Sequence, residues 1–199
     1  MEDKNSSTLM HGGLTPSTAT QRVFFAFWPS AEAADQIADW ARHAHAVCGG
    51  RMMRPESLHM TLAFLGSIPV DKVTQLIQAA PAWSIPVGTV ELRHFGRFYG
   101  PRVVWLGPSI DDSDRIQWLD EAYATLWDHL EPLGWQRPAS VFRPHVSLLR
   151  KAGAGDLTTL PQPNLRWTPV QCVLVVSRPS TNGSHYEVLA RLPTAPPAG

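Results

Sequence analysis

A histidine followed two positions later by a hydroxyl residue occurs twice in the chain, in the segments of the sequence best suited to chemistry. The two copies are His59 with Thr61 and His145 with Ser147, 86 positions apart. Apolar residues alternate with them, as in a half-buried strand, and side chains two apart on a strand point to the same face. Each strand is therefore predicted to present one imidazole and one hydroxyl to a common surface.

Two imidazoles that face one cleft suit the opening of a cyclic phosphodiester. In-line attack at phosphorus needs a base on the entering water and an acid on the departing alkoxide. The ordinary histidine pKa near 6.5 allows one ring to be neutral while the other is protonated. The hydroxyls of Thr61 and Ser147 can donate hydrogen bonds to the non-bridging phosphate oxygens. Such chemistry requires no metal and no cofactor.

Positively charged side chains follow the motif of His145 and Ser147 along the chain. Arg150 is a candidate phosphate clamp, because its planar guanidinium can bind two oxygens at once. Strict alternation, however, places Arg150 on the face opposite His145. Its side chain reaches the cleft only if the strand bends or ends near Leu149, or if the long stem curls around the edge. Arg143 has the parity of His145 but precedes Pro144, whose missing N–H indicates a strand edge or a bulge.

Hydrophobic periodicity, which switches repeatedly between two and 3.6, predicts the elements that position these residues. The predicted order is strand, helix, strand, helix, two strands, helix and three strands. The strands are predicted over Val23–Phe27, Leu58–Leu65, Thr89–Phe95, Arg102–Leu106, Val141–Leu149, Val170–Val176 and His185–Leu192. This order favours an α+β protein of two similar, pseudo-symmetric lobes, with mostly antiparallel sheets that face a central cleft and helices on the outside.

Size and charge bound the possible functions. The 199 residues suit a single bilobal domain, predicted over residues 22–192, between loose tails at 1–21 and 193–199. The 17 Lys and Arg balance the 17 Asp and Glu. A protein that binds duplex nucleic acid through a large positive charge is therefore excluded, and any phosphate-bearing partner must be held locally.

The two cysteines, Cys48 and Cys172, lie far apart without metal-ligand spacing and are interpreted as reduced thiols. The chain shows no secretory signal pattern and no apolar run long enough for a membrane span, so the sequence predicts a cytoplasmic protein without a membrane partner. A monomer is the default expectation.

Two longer segments, from Glu56 to Gly66 and from Phe142 to Arg150, resemble the paired signatures of the two-histidine (2H) phosphoesterases. More narrowly, they resemble the RNA 2′,3′-cyclic phosphodiesterases, also called 2′-5′ RNA ligases, over about residues 22–192. The resemblance implies a bilobal fold and metal-independent hydrolysis of an RNA-terminal 2′,3′-cyclic phosphate to a 2′-phosphate. It also implies reversible 2′-5′ RNA ligation.

Carried over by position, the resemblance implies that His59 donates a proton to the 3′ leaving oxygen and that His145 accepts one from water. Thr61, Ser147 and Arg150 match phosphate-contacting positions of the family. The family commonly has threonine where this chain has Ser147, a change that keeps the hydroxyl and loses the methyl group that restricts its rotamer.

Two alternatives stay open. The same site would also suit a smaller ester, such as a cyclic nucleotide or an ADP-ribose cyclic phosphate, and a non-catalytic module that binds RNA ends would use the cleft only to hold phosphate. The aromatic residues of the strands and turns are expected to pack in the core. Base stacking is the alternative role, and Phe98 and Tyr99 are the least core-like of them. The aromatics considered are Phe25, Phe27, Phe98, Tyr99 and Trp105.

The remaining polar clusters are predicted to be structural. The acidic residues 111–114 precede a long amphipathic helix, so they are expected to cap it rather than to bind a metal. Six histidines lack a partner pattern and are expected at the surface or in structural roles: His11, His43, His45, His94, His129 and His185.

Overall fold

The mixed character predicted from the sequence is confirmed by a computed structural model, which describes residues 19–108, 115–181 and 183–197. Its helices are α1 (Ala31–Cys48), α2 (Val70–Ala79) and α3 (Gln117–Leu130). Its strands are β1 (Thr20–Trp28), β2 (Arg51–Met52), β3 (Met60–Pro69), β4 (Ile85–Pro86), β5 (Val90–Leu92), β6 (His94–Phe98), β7 (Val103–Gly107), β8 (Val146–Arg150), β9 (Leu165–Trp167), β10 (Gln171–Ser180), β11 (Gly183–Leu192) and β12 (Thr194–Ala195). No helix within these ranges is long and apolar enough to cross a bilayer.

One eight-stranded sheet carries the two histidine motifs at its centre. Its strand order is β11-β10-β1-β3-β8-β7-β6, with β2 paired to β8, and the pairings within it are antiparallel. The two halves, β11-β10-β1-β3 and β8-β7-β6, meet at a single residue pair, Met60 with Val146. The two sheets expected from the sequence are thus the halves of one sheet, and the motifs lie where the halves join.

The helices cover one face of this sheet. Ser30 caps α1, since its hydroxyl oxygen accepts a hydrogen bond from the backbone N–H of Ala33 at 3.1 Å. The apolar faces of α1, α2 and α3 share a single core with Phe25 and Phe27 of β1. This core fixes the back of the sheet and leaves the other face for the cleft.

The opposite face of the sheet carries a smaller apolar cluster. It contains Phe24 and Ala26 of β1 with Val173 and Val175 of β10. β1 is therefore buried on both faces, which explains why its apolar residues form a continuous run instead of alternating with polar ones.

The bounds of all seven predicted strands differ from those in the structure by at least one residue, and two of these differences have a clear physical cause. The strand expected over 89–95 is two strands, because β5 pairs with β9 while β6 pairs with β7. The strand expected from 141 begins only at Val146. Pro144 has no N–H for a strand ladder, which accounts for the later start.

Both ends of the described chain extend beyond the predicted domain of residues 22–192. β1 already begins at Thr20, and Thr194–Ala195 forms β12, parallel to β4. The backbone N–H of Ile85 donates to the carbonyl of Pro193 at 2.9 Å. Residues 193–195, which the sequence assigned to a loose tail, are therefore hydrogen-bonded to the body of the fold. The acidic residues 111–114 and most of the N-terminal tail lie outside the described residues.

Candidate active site

The joint between the two half-sheets brings the motifs side by side. Met60 and Val146, the residues that directly follow the two histidines, are antiparallel partners. Continuing this register places the hydroxyl residue of each strand beside the histidine of the other, as Thr61 lies beside His145. The joint thus brings Thr61 to the cavities of both imidazoles, whereas Ser147 lines neither cavity.

Both imidazoles are held in the same way. Nδ1 of His59 lies 2.8 Å from the carbonyl oxygen of Ser57, and Nδ1 of His145 lies 2.8 Å from the carbonyl oxygen of Arg143. A carbonyl oxygen only accepts hydrogen bonds, so Nδ1 carries the hydrogen in each ring. The lone pair of the neutral ring is then on Nε2, which leaves that atom for chemistry.

Aromatic rings surround His59. Trp28 stacks on it with the planes 8° from parallel and the centroids 5.2 Å apart, and Phe24 stacks at 4.8 Å. Tyr186 meets the ring edge-on at 5.2 Å. Such packing restricts the imidazole to one orientation. These three aromatics were not among the residues predicted for the site, although Phe24 has the opposite parity on β1 from the core residue Phe25.

The two aromatic rings that contact His145 are not stacked on it as Trp28 and Phe24 are stacked on His59. Phe98 meets His145 edge-on at 4.9 Å, and Trp105 lies at 5.9 Å with a tilt of 54°.

Of the aromatics considered as base-stacking candidates, Phe98 therefore lies at the cleft. The other four do not line it: Phe25, Phe27 and Trp105 are buried, and Tyr99 is 82% exposed in the turn before β7.

Burial and positive charge favour the neutral form of both rings. Burial lowers the pKa of His59 to about 4, the charges of Arg150 and His145 lower it further, and the hydrogen bond to Ser57 opposes them. The pKa of His145 is also lowered by burial, with the charges of Arg143 and Arg150 acting in the same direction and the hydrogen bond to Arg143 opposing. The lowered pKa values favour the neutral form of both imidazoles at pH 7 in the free protein. The positive charge of Arg150 acts on both imidazoles.

Two cavities open onto this cluster. The larger, about 780 Å³, is lined by His59 and Arg150 among others, and a second of about 500 Å³ is lined by His145 and Arg143. Thr61 lines both. The two imidazoles thus open onto neighbouring spaces that meet at one hydroxyl, and neither ring is enclosed in a separate apolar interior.

Arg150 lies on the cleft side of β8, although strict alternation predicted the opposite face. A β-bulge is the reason. Two consecutive residues of β7 pair with Ser147 and Leu149, which leaves Leu148 as an extra residue in β8. Leu148 and Leu149 are both buried, so Arg150 returns to the face of Ser147.

β3 has the same bulge at the equivalent position. Two consecutive residues of β1 pair with Thr61 and Ala63, which leaves Leu62 as the extra residue, and Leu62 and Ala63 are both buried. Phe64 therefore emerges where Arg150 does in β8. It is 51% exposed, lines the larger cavity, and lies under the guanidinium of Arg22 at 4.7 Å. Phe64 was not predicted as a cleft residue, because strict alternation from Thr61 places it on the core side.

The other histidines that the structure describes lie elsewhere. His43 and His45 contact backbone carbonyls near α1, and His129 stacks on Trp83 at 5.0 Å. His94 and His185 are in β6 and β11, and neither lines the two cavities; His11 lies outside the described residues. Residues 19–108, 115–181 and 183–197 contain no group of three or more His, Cys, Asp or Glu arranged to hold a metal ion.

Comparison with known proteins gives a consistent result. A family model described as LigT-like phosphoesterase matches residues 27–105. The RNA 2′,3′-cyclic phosphodiesterase of Escherichia coli (strain K12) is 32% identical over 148 residues, which are 74% of this chain and 81% of that protein. The crystal structure of E. coli LigT in apo form is similar at a TM-score of 0.71 and 30% identity, covering 89% of this chain and 99% of that chain. E. coli LigT complexed with 3′-AMP is similar at a TM-score of 0.69 and 28% identity, covering 87% and 97%.

Proposed function

Because the chain belongs to the LigT-like phosphoesterases of the 2H superfamily, we propose that it is an RNA 2′,3′-cyclic phosphodiesterase that leaves a 2′-phosphate. The observation that carries the proposal is the pair of imidazoles at the joint of the two half-sheets, each held through Nδ1 with Nε2 left for proton transfer. Relatives named RNA 2′,3′-cyclic phosphodiesterase support RNA as the substrate class.

The proposed reaction is an in-line displacement at phosphorus. Nε2 of His145 accepts a proton from water as the water oxygen bonds to phosphorus. The bond from phosphorus to the 3′ oxygen breaks, and Nε2 of His59 donates a proton to that oxygen. The product carries a 3′ hydroxyl and a 2′-phosphate. With a 5′ hydroxyl in place of water, the same proton transfers in the same direction join two RNA ends through a 2′-5′ linkage and leave a 3′ hydroxyl at the joint.

The charge that develops on the non-bridging oxygens needs donors in the cleft. The hydroxyls of Thr61 and Ser147 are assigned to these oxygens, and Arg150 supplies a positive charge and a planar pair of N–H groups. These side chains and the two histidines provide the acid, the base and the charge stabilisation. The proposed activity is therefore independent of added metal.

The proton-donor role of His59 depends on the substrate. Its lowered pKa favours the neutral ring in the free protein, whereas a donor must be protonated. A phosphodiester anion beside the ring favours the imidazolium and raises its pKa in the complex. The pH profile of kcat/KM, which reports the free enzyme, is expected to be a bell centred below pH 6.5, and that of kcat to be centred at higher pH.

The decisive experiment is hydrolysis of an oligonucleotide that ends in a 2′,3′-cyclic phosphate, in the presence of EDTA. Ring opening to a 2′-phosphate, lost in His59→Ala and His145→Ala, is expected. Binding without turnover would favour the non-catalytic RNA-end module. Faster turnover of a cyclic nucleotide or an ADP-ribose cyclic phosphate than of the oligonucleotide would favour the small-ester alternative.

A further inference from the structure

The larger cavity concentrates positive charge beyond the catalytic cluster. Arg22, Arg51, Arg150 and Arg178 line it, and no Asp or Glu is among the described residues of its wall. The charge of Arg178 is partly compensated, because its Nε lies 3.1 Å from Glu187. The chain as a whole has no net charge, so composition does not account for this concentration of arginine. It suits an anion with several phosphates.

The cavity is also long. Thr61, Phe64 and Ser67 of β3 all line it, and a strand rises about 3.3 Å per residue, so this wall extends up to about 20 Å. The other side is formed by residues at the facing ends of β10 and β11, namely Arg178, Pro179, Ser180, Gly183 and Ser184. The cavity thus continues past the space that a nucleotide at the two histidines would occupy.

Phe64 is the one large apolar side chain in this wall that is more than half exposed among the described residues. The bulge at Leu62 turns it away from the core, where an apolar ring would otherwise be stabilised by burial. The guanidinium of Arg22 lies over the ring at 4.7 Å from its centroid, and the side chain is still 51% exposed. An exposed aromatic face between arginines is the arrangement by which proteins bind single-stranded RNA, stacking a base and contacting phosphates.

We propose that Phe64 stacks on the base of the second-last nucleotide of the substrate, while Arg22 and the neighbouring arginines contact the phosphates that precede it. This inference rests on the proposed function, since it takes the cyclic phosphate to lie at the histidines. The preferred substrate is then an RNA strand and not a mononucleotide. The base is recognised through its π-face, so the subsite tolerates any base sequence.

The kinetic test compares three substrates with the same terminal nucleotide: a 2′,3′-cyclic mononucleotide, the dinucleotide, and the dinucleotide with an abasic second-last position. The wild-type kcat/KM is expected to be about tenfold higher for the dinucleotide than for the abasic form, in line with the value of one base–aromatic stack. Phe64→Ala should abolish this ratio, and Phe64→Tyr should retain it. Val170→Ala, at an exposed position outside both cavities, is the matched control and should keep the wild-type ratio.

A binding measurement separates the subsite from catalysis. A trinucleotide with 2-aminopurine at the second-last position and a 3′-phosphate end is titrated with the His145→Ala protein. Stacking on Phe64 is expected to quench the fluorescence, and the added Phe64→Ala change should remove the quenching. Quenching without hydrolysis of any cyclic phosphate by the wild type would overturn the proposed function and support the subsite.

Two results would overturn the subsite while the proposed function stands. One is hydrolysis of the cyclic ends with equal kcat/KM for the dinucleotide and its abasic form. The other is an equal loss on the mononucleotide and the dinucleotide in Phe64→Ala, which would place the ring at the terminal nucleotide.

Discussion

The two motif strands share one frame and differ in the residues that the frame presents. In β3 and in β8, a histidine just before the strand is hydrogen-bonded through Nδ1 to the carbonyl two residues earlier, and a bulge follows the hydroxyl residue. After the bulge, β3 presents Phe64 to the cleft and β8 presents Arg150. Trp28 lies nearly parallel to His59, whereas the rings beside His145 are tilted or edge-on.

This difference indicates how a nearly symmetric frame can support an asymmetric reaction. The shared features bring two Nε2 atoms to one cleft. The unshared residues distinguish the sides, because Arg150 brings a positive charge to the cavity, which the proposed reaction uses at the phosphate, and Phe64 brings an apolar ring. Proton donor and proton acceptor are then assigned by what surrounds each ring and by how the substrate lies between them.

The largest expected effect is the loss of either imidazole. His59→Ala and His145→Ala should each lower kcat/KM on a cyclic-phosphate RNA end by about 10²- to 10⁴-fold. A phosphodiester with a p-nitrophenyl leaving group needs no protonation at that oxygen, so His59→Ala should lose much less on this substrate while His145→Ala loses as much as before. Equal losses by the two variants on both substrates would contradict the donor and acceptor assignment.

The second largest effect is expected from the loss of Arg150, the charge that β8 presents where β3 presents Phe64. Arg150→Gln is expected to lower kcat by about 10²-fold, because a charged donor to the developing negative charge is lost. Arg150→Lys should recover part of this loss, since it keeps the charge but not the planar pair of donors. Lys151→Gln removes the neighbouring charge as a control. A similar loss in Lys151→Gln would show that general charge and not the Arg150 position matters.

The next prediction concerns the contribution of the buried His59 to the free energy of unfolding. The folded pKa of His59 is about 4 against an ordinary 6.5, so between these values the unfolded chain binds the proton more strongly. The free energy of unfolding should therefore fall as the pH drops from 7 to 4, with about 3 kcal/mol from this ring. Urea unfolding at several pH values is expected to show a smaller fall for His59→Gln. An unchanged fall in that variant would contradict burial of the neutral ring.

The smallest expected effect exchanges the hydroxyl residues of the two motifs. Ser147→Thr and Thr61→Ser keep the hydroxyl and change only a methyl group that restricts the rotamer. Each should alter kcat/KM by less than about threefold, as expected for a change in positioning without loss of a hydrogen-bond donor. A change above tenfold in either variant would show that the methyl group, and not the hydroxyl alone, is required on that strand.

The sequence was most informative where local pattern and local structure coincide. The strand over Val23–Phe27 and the shared face of His59 and Thr61 follow from spacings of one or two residues. Phe64 could not be predicted in the same way. Its position depends on which residues of β1 pair with β3, and the extra residue of a bulge has no mark in the sequence of its own strand.

The environment of His59 shows the same limit. Trp28 is adjacent to a predicted strand, but Tyr186 comes from β11, at the far end of the chain, and reaches the ring only because β10 pairs with β1. The large fall in the pKa of His59 follows from that packing and could not be derived from the residue type.

The residue types by themselves determined which reaction is available: two imidazoles can transfer protons at a phosphodiester, and two hydroxyls and an arginine can donate hydrogen bonds to its oxygens. Only the tertiary structure decided that the motifs join at Met60 and Val146, that paired bulges turn Phe64 and Arg150 into one cavity, and that aromatic rings enclose His59. Side-chain chemistry belongs to each residue alone. Register, bulges and burial depend on strands that are distant in the sequence, and these are set when the whole sheet pairs.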